Sequence, residues 1–296
     1  MVKGIGVLAL AIALGGGLAP AAVLASGGAG PASVRKQIES SLLVSGNVDI
    51  EPDGSVSRLD IDHEDKLPEG VVKFVRDNAM AWRFEPVIRD GKVVKARAPM
   101  NLRVVARKLD DGNYRIALRG VSFERYDAAD PHGVSWGKMT PPSFPTDAFR
   151  SGASATVYLL VKVGRDGRVE DAVAEQVNLR IVASEGAMRR FRTLFADSTL
   201  AAARKWTFRV PAKGKEADAP YWSVRVPVSY SLEDQPVENS ERDYGKWISY
   251  VPGPRQVAPW SDEQADANFS PDTLTDGGIY MASSNAPRLL TPLQGG

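Results

Sequence analysis

A motif that occurs twice constrains the fold of this chain more than any other feature. The copies lie at residues 77–86 and 201–211, and they contain Trp82-Arg-Phe84 and Trp206-Thr-Phe208. In each copy, an alanine-containing stretch of good helix propensity runs into Trp-x-Phe, and a proline then ends the segment. We therefore predict, at two places in the chain, a helix that leads into an extended segment whose two aromatic side chains face the same side.

The sequence on both sides of the motif repeats as well. Upstream of each copy, alternating apolar residues flank an Asp-Gly pair, at Asp53-Gly54 and Asp166-Gly167, which is a strong signal for a hairpin. Downstream, a further alternating stretch carries a proline, Pro99 or Pro227, which cannot donate to a ladder and suggests a strand with one free edge. The repeat predicts an α+β fold of two small domains, each an antiparallel sheet of three strands, or slightly more, packed against helices.

The second copy resembles the C-terminal domain of the TonB family. Pro141-Pro-Ser-Phe-Pro145 is similar to the Pro-x-aromatic-Pro motif that opens that domain, here formed by Pro142, Phe144 and Pro145. Residues 155–173, 201–211 and 223–232 follow in the family's order. The first copy, residues 34–105, is more diverged: it lacks the opening motif but keeps Trp82-Arg-Phe84-Glu-Pro86 and Asp90-Gly-Lys92.

The resemblance implies a periplasmic protein that pairs with extended segments of other envelope proteins, outer-membrane receptors among them. In the family, the last strand of the sheet performs this pairing. The residues expected to bind a partner are therefore Ser223, Val224, Arg225, Val226, Val228 and Tyr230. The residues expected in the two cores are Trp82, Phe84, Trp206 and Phe208. A sheet edge that is merely protected by Arg225 and Pro227, and exchange of strands within a homodimer, remain open as alternatives.

Composition shifts divide the chain. We predict a signal peptide (residues 1–25), a first TonB-like domain (33–123), a linker (124–139), a second domain (140–232) and a proline-rich, flexible tail (233–296). The alternative for residues 4–25 is an uncleaved membrane anchor, which the glycine triplet at 15–17 and Pro20 disfavour as a helix. Within the tail, residues 247–252 either bind a partner or pack on the chain's own domains.

The composition excludes several classes of function. Lysine and arginine (37) balance aspartate and glutamate (36), so no long-range field favours nucleic acid. Without cysteine and with two histidines, the chain has neither thiol chemistry nor a recognisable nucleophile motif. The run Asp60-Ile-Asp-His-Glu-Asp65 holds possible metal ligands, but a strand places its carboxylates on the solvent side, so we expect no metal and no cofactor. No feature of the sequence identifies two carboxylates as a catalytic pair.

The leading hypothesis is a non-enzymatic periplasmic protein-binding module. The runner-up is a TonB-type energy transducer, which needs a retained membrane helix and a long spacer. Residues 124–146 are too short for that spacer, even at about 3.1 Å per residue in an extended polyproline form. A cell-envelope scaffold is a third reading, which follows from the fold and compartment that the resemblance implies.

Overall fold

The computed structural model describes residues 30–109, 114–232, 241–261, 268–283 and 286–293. The predicted signal peptide, residues 1–25, lies outside these ranges. Within them, no helix combines the length and the apolar character that are needed to cross a bilayer. The fold is mixed α+β with antiparallel sheets, which confirms the fold class predicted from the repeat.

The elements follow the predicted order. The first part contains α1 (Pro31–Arg35), β1 (Glu39–Ile50), β2 (Val56–Ile61), α2 (Glu69–Met80), β3 (Ile88–Arg89), β4 (Lys92–Val93), β5 (Ala96–Lys108) and β6 (Tyr114–Ser122). The second part contains β7 (Ser135–Lys138), α3 (Thr146–Arg150), β8 (Ala155–Gly164), β9 (Val169–Leu179), α4 (Glu185–Ala203), β10 (Thr207–Arg209) and β11 (Tyr221–Tyr230). Two short strands follow, β12 (Ile248–Tyr250) and β13 (Tyr280–Met281).

The first sheet is built around β1. It pairs with β5 along almost its whole length, and its other edge carries β2 at one end and β12 at the other. α2 covers one face with Val71, Val75 and Ala79, which share one side of the helix because they lie four residues apart. β6 returns along β5 from Asn101 to Lys108, so this sheet has more than the three strands of the repeat.

The second sheet has the order β13–β11–β8–β9. α4 packs on β8 and β9, with Met188, Phe195 and Ala203 buried. The helix begins after Ser184, whose side-chain oxygen accepts a hydrogen bond from the Ala187 N–H at 3.4 Å. α4 is thus one continuous helix that ends just before Trp206-Thr-Phe208.

Each Asp-Gly turn contacts the aromatic segment of its own repeat in the same way. The Phe84 N–H donates to the Gly54 carbonyl at 2.8 Å, and the Phe208 N–H donates to the Gly167 carbonyl at 2.7 Å. Both glycines have a positive φ, 80° and 74°. A Cβ on either would lie 2.1 or 2.2 Å from the phenylalanine carbonyl oxygen. These glycines therefore serve a tertiary contact as well as a tight turn.

The described C-terminal segments pair with both sheets. β12 pairs with residues 39–41 of β1, and the next residue, Val251, forms an antiparallel bridge with Leu179 of β9. β13 pairs with β11, and Leu289 bridges Phe84. This differs from the flexible tail that the composition predicts, and of the two alternatives for residues 247–252 it favours packing on the chain itself. These pairings could not be foreseen because each joins residues far apart in sequence.

The stretch expected to be a linker also contributes a strand. β7, within residues 124–139, pairs with β10 and brings Trp136 opposite Phe208. The rings of Trp136 and Phe208 stack with centroids 5.3 Å apart, and the Trp206 ring meets Trp136 edge-on at 5.5 Å. The boundary segment is therefore part of the aromatic layer beside the second sheet, and it positions the site described next.

Candidate partner-binding edge of the second sheet

β11 is paired unequally on its two sides. On one side it pairs with β8 from Tyr221 to Tyr230. On the other side, Val224 and Arg225 face Met281 and Tyr280, and the Ala282 N–H donates to the Ser223 carbonyl at 2.8 Å. Beyond Arg225, nothing in the described part of the chain pairs with this outer side.

The backbone groups that β11 leaves open follow from strand geometry. Successive residues of a strand direct their amides to alternate sides, and the Ser223 carbonyl faces outward. Pro227 and Ser229 therefore face outward as well. Pro227 has no N–H to offer, so the open edge presents two carbonyl oxygens and the N–H of Ser229.

An apolar groove of about 500 Å³ lies beside this open edge. Residues 226–231 form one wall. The rest is formed mainly by aromatic, proline and methionine side chains, namely Trp136, Met139, Pro141, Pro142, Phe144 and Trp206. Met139 is 44% exposed at the groove, whereas Trp206 is buried, and its indole N–H donates to the Thr140 carbonyl at 2.8 Å. The groove can thus accept an apolar side chain from a segment that pairs with β11.

The residues of the opening motif surround this groove. Pro142 and Phe144 line it, and the Phe144 ring meets the rings of Phe195 and Tyr230 at 5.7 and 5.5 Å. Pro145 precedes α3 with an extended backbone, so it turns the chain into that helix. The motif therefore fixes one wall of the groove against α4 and the end of β11.

The structure divides the predicted partner-binding residues into two groups. Ser223, Val224 and Arg225 are not free, because the chain's own β13 and Ala282 occupy the edge beside them. The Arg225 side chain is buried, donates to Glu175 Oε2 at 2.9 Å and lies over the Phe269 ring at 4.4 Å. For these three residues the expectation of an open edge is corrected.

The other three predicted residues, Val226, Val228 and Tyr230, lie beside the open edge and line the groove. Val226 and Tyr230 are buried against the α4 side of the sheet. The Tyr230 hydroxyl lies 2.7 Å from Thr199 Oγ1, and burial raises the pKa of Tyr230, which keeps the phenol neutral. These residues shape the groove, while the hydrogen-bonding groups come from the backbone.

Sequence reasoning missed Trp136, Met139 and Ser229 as parts of the site. Ser229 faces outward because it lies an even number of residues from Ser223, so the period-two rule for strands could have identified it. Trp136 and Met139 lie in and just after the short β7, within a polar, proline-containing stretch. Only pairing with β10, about seventy residues later, brings them to the groove.

The four predicted core residues lie where helix, turn and sheet meet. Trp82, Phe84, Trp206 and Phe208 are all buried. In the first part, the rings of Trp82, Phe84 and Phe123 meet edge-on, with centroid distances from 4.9 to 6.4 Å. The first aromatic cluster is therefore closed within the core, whereas the second continues through Trp136 into the groove.

The acidic run at residues 60–65 is paired with arginines. Arg97 donates to Asp60 at 2.6 Å and Arg58 donates to its other oxygen at 2.7 Å, and these bonds lower the pKa of Asp60. Arg97 also donates to Asp49 at 2.9 Å. In the described ranges, no group of three or more histidine, cysteine or acidic residues could hold a metal ion.

Comparison with known proteins adds a distant similarity. The chain is 32% identical over 100 residues to Protein TonB of Xanthomonas campestris pv. campestris, in strains B100 and ATCC 33913. The match covers 33% of this chain and 38% of those relatives, so the chain spans well under half of their length. No protein-family model and no solved structure matches the chain. The similarity supports a TonB-like region within this α+β chain.

Proposed function

We propose that the chain is a periplasmic, non-enzymatic module of two tandem TonB-like units, which binds extended segments of envelope proteins by strand addition. The observation that carries this proposal is the outer edge of β11, open beyond Arg225 beside an apolar groove. The distant similarity to Protein TonB supports it. So does the glycine–phenylalanine contact that recurs in both repeats.

In this mechanism, the incoming segment pairs with the Ser229 amide and with the Pro227 carbonyl. One of its side chains enters the groove against Trp136 and Phe144. A net hydrogen bond contributes about 1 kcal/mol, whereas full burial of a leucine or phenylalanine side chain contributes about 1.5–3 kcal/mol. Because Pro227 removes a ladder bond, the groove supplies more of the affinity than the ladder. The bound segment therefore needs an apolar residue at that position.

A photo-reactive amino acid at Met139, in the full chain and in the cells that make it, tests the proposal. We expect crosslinks to an envelope protein. They should disappear when Ser229→Pro removes the outward N–H, and persist with Ser229→Ala, which keeps it. Crosslinks that survive Ser229→Pro would contradict strand addition at β11, and so would a crosslink map that contains a second copy of this chain alone.

The TonB-type energy transducer is the second candidate, and the similarity to Protein TonB favours it. It requires residues 1–25 to be retained as a membrane anchor. The intact mass of the protein, measured in the periplasmic and membrane fractions, tests this point. A full-length mass in the inner membrane, with crosslinks to outer-membrane receptors, would support transport. A mass that begins near Ser26 in the soluble fraction would exclude it. Crosslinks to cell-wall-associated proteins would instead support the scaffold.

A further inference from the structure

The second sheet has another edge, β9, to which the chain adds its own backbone. Leu179 and Val251 exchange two hydrogen bonds, of 3.1 and 2.7 Å. Further along, the Gln256 N–H donates to the Glu175 carbonyl at 2.8 Å. The chain leaves the edge there, and the next residue, Val257, is 77% exposed. An extended segment thus already covers one end of this edge, between Glu175 and Leu179.

The other end of β9 is open. Because the Ser223 carbonyl faces away from β8, Val224 and Val226 direct their amides toward β8. Their β8 partners, Val161 and Leu159, therefore direct theirs back toward β11.

Leu159 and Val161 face Ala174 and Ala172 on the β9 side. Since their amides point toward β11, Ala172 and Ala174 direct their own N–H and C=O groups away from the sheet. No strand of the described ranges pairs with these outward groups, although the Ala172 N–H donates to Asp171 Oδ1 at 2.8 Å.

A groove of about 370 Å³ lies between this open edge and α4. Its strand side is formed by Ala172, Ala174 and Val177, and its helix side includes Ala196 and Leu200. Pro254 and Gln256 close the end where the chain's own segment departs. Edge strands are commonly protected by charge, proline or bulky cover, whereas here small alanines leave room for another backbone.

Two charged side chains, Arg192 and Asp197, line the groove. The Arg192 Nε donates to the Val177 carbonyl at 3.3 Å, and its Nη2 donates to the Pro252 carbonyl at 3.1 Å. Within the described ranges Arg192 donates to these two carbonyls, and no carboxylate, Asp197 included, forms an ion pair with it. Burial lowers the pKa of the guanidinium, which reflects a desolvated charge without a compensating anion. A carboxylate arriving at this end of the groove would supply that compensation.

We propose that the groove between residues 169–174 of β9 and α4 is a second strand-addition site, for an extended protein segment with small or apolar side chains and an acidic residue facing Arg192. Its continuity with the strand that the chain itself adds at Glu175–Leu179 argues for an extended occupant. Two open edges on opposite sides of one sheet make the molecule bivalent: it joins one partner segment at β11 to another at β9.

The test uses a phage-displayed library of random decapeptides, selected on the full chain carrying Ser229→Pro so that the β11 edge is blocked. We expect enriched peptides to share an acidic residue beside small or apolar ones. A synthetic peptide of that consensus should bind about tenfold more weakly to Ala174→Pro, which removes one ladder donor, and normally to Ala174→Ser, which keeps it. Arg192→Gln should weaken binding severalfold, and Arg192→Lys less.

The proposal fails if no sequence class is enriched. It also fails if Arg192→Gln weakens binding but Ala174→Pro, with a native melting temperature, leaves binding unchanged. The peptide would then contact Arg192 without pairing with β9. If Ala174→Pro unfolds the chain, hydrogen exchange of the Ala172 and Ala174 amides takes its place: the peptide must slow it. Selection with β11 blocked keeps the outcome separate from that of the first site.

Discussion

The outer strands of the two sheets differ in how far the chain itself covers them. In the first sheet, β6 covers the outer side of β5 from Asn101 to Lys108. In the second sheet, the strand equivalent to β5 is β11, and its outer side is covered only beside residues 223–225. The same succession of strand, turn, strand, helix and strand therefore leaves its last strand largely covered in one sheet and largely open in the other. The added hairpin strand β6 accounts for this difference.

The Trp-x-Phe segments differ in the same way. In the second part, β10 pairs with β7, about seventy residues upstream. In the first part, Phe84 pairs with Leu289, and the Glu85 N–H donates to the Arg288 carbonyl at 2.9 Å. The second aromatic segment thus pairs within its own part of the chain, while the first pairs with residues about two hundred positions downstream.

The largest expected effect concerns the two tryptophans. Trp82→Ala and Trp206→Ala should each reduce the free energy of unfolding by about 3 to 5 kcal/mol, because each leaves a cavity among buried rings. Trp206→Ala should also abolish binding at β11, since the indole forms part of the groove. Chemical denaturation and calorimetry measure the loss. An unchanged melting temperature in either variant would contradict the role of that tryptophan in stabilising the core.

Proline substitutions test the covered edge against the open one. Val105 of β5 lies between Ser41 and Ala117, so Val105→Pro must break a ladder bond on one side and cost about 1 to 3 kcal/mol. Ser229→Pro removes an N–H that faces outward, and it should change stability by less than about 1 kcal/mol. Val105→Ala and Ser229→Ala are the matched controls. Equal losses from both prolines would contradict the open edge at β11.

Alanine substitutions at the turn glycines test whether the two repeats share one contact. Gly54→Ala and Gly167→Ala place a Cβ against a phenylalanine carbonyl in a left-handed conformation. The conformation alone costs about 1 to 2 kcal/mol. Gly91 is the control, because it has a φ of 73° and nothing within 4 Å of its Cβ position. Both repeat variants should lose more stability than Gly91→Ala. Equal losses in all three variants would show that the glycine–phenylalanine contact does not add to stability.

The smallest effect is a dependence on alkaline pH. Tyr244 donates to the Asp62 carbonyl at 2.8 Å, and burial raises its pKa to about 12. Because the pKa is raised in the folded state, the neutral phenol stabilises the fold fully below pH 10. That contribution to the free energy of unfolding is lost as the pH rises toward 12. Tyr244→Phe should remove this dependence. Chemical denaturation at several pH values between 9 and 12 measures it, and identical profiles for both chains would contradict it.

Local patterns were sufficient for the order of elements. Alternation around Asp53-Gly54 and Asp166-Gly167, and helical spacing before each Trp-x-Phe, are properties of short windows. They predicted the hairpins, the helices and the third strand. The cover on β11 could not be predicted in this way, because Tyr280 and Met281 reach it from more than fifty residues away. The residues expected from the sequence therefore begin on β11 several positions before its open edge does.

The pairing of Phe84 with Leu289 also bears on the order of events in folding. The Arg83 N–H donates to the Thr291 side chain across a separation of 208 residues. Loop closure over such a distance is slow, and the contact cannot form until residues near 291 have reached the compartment in which the first unit folds. The first unit to be synthesised is therefore among the last to mature. Until then, the edge of its aromatic segment at residues 83–85 lacks its partner strand.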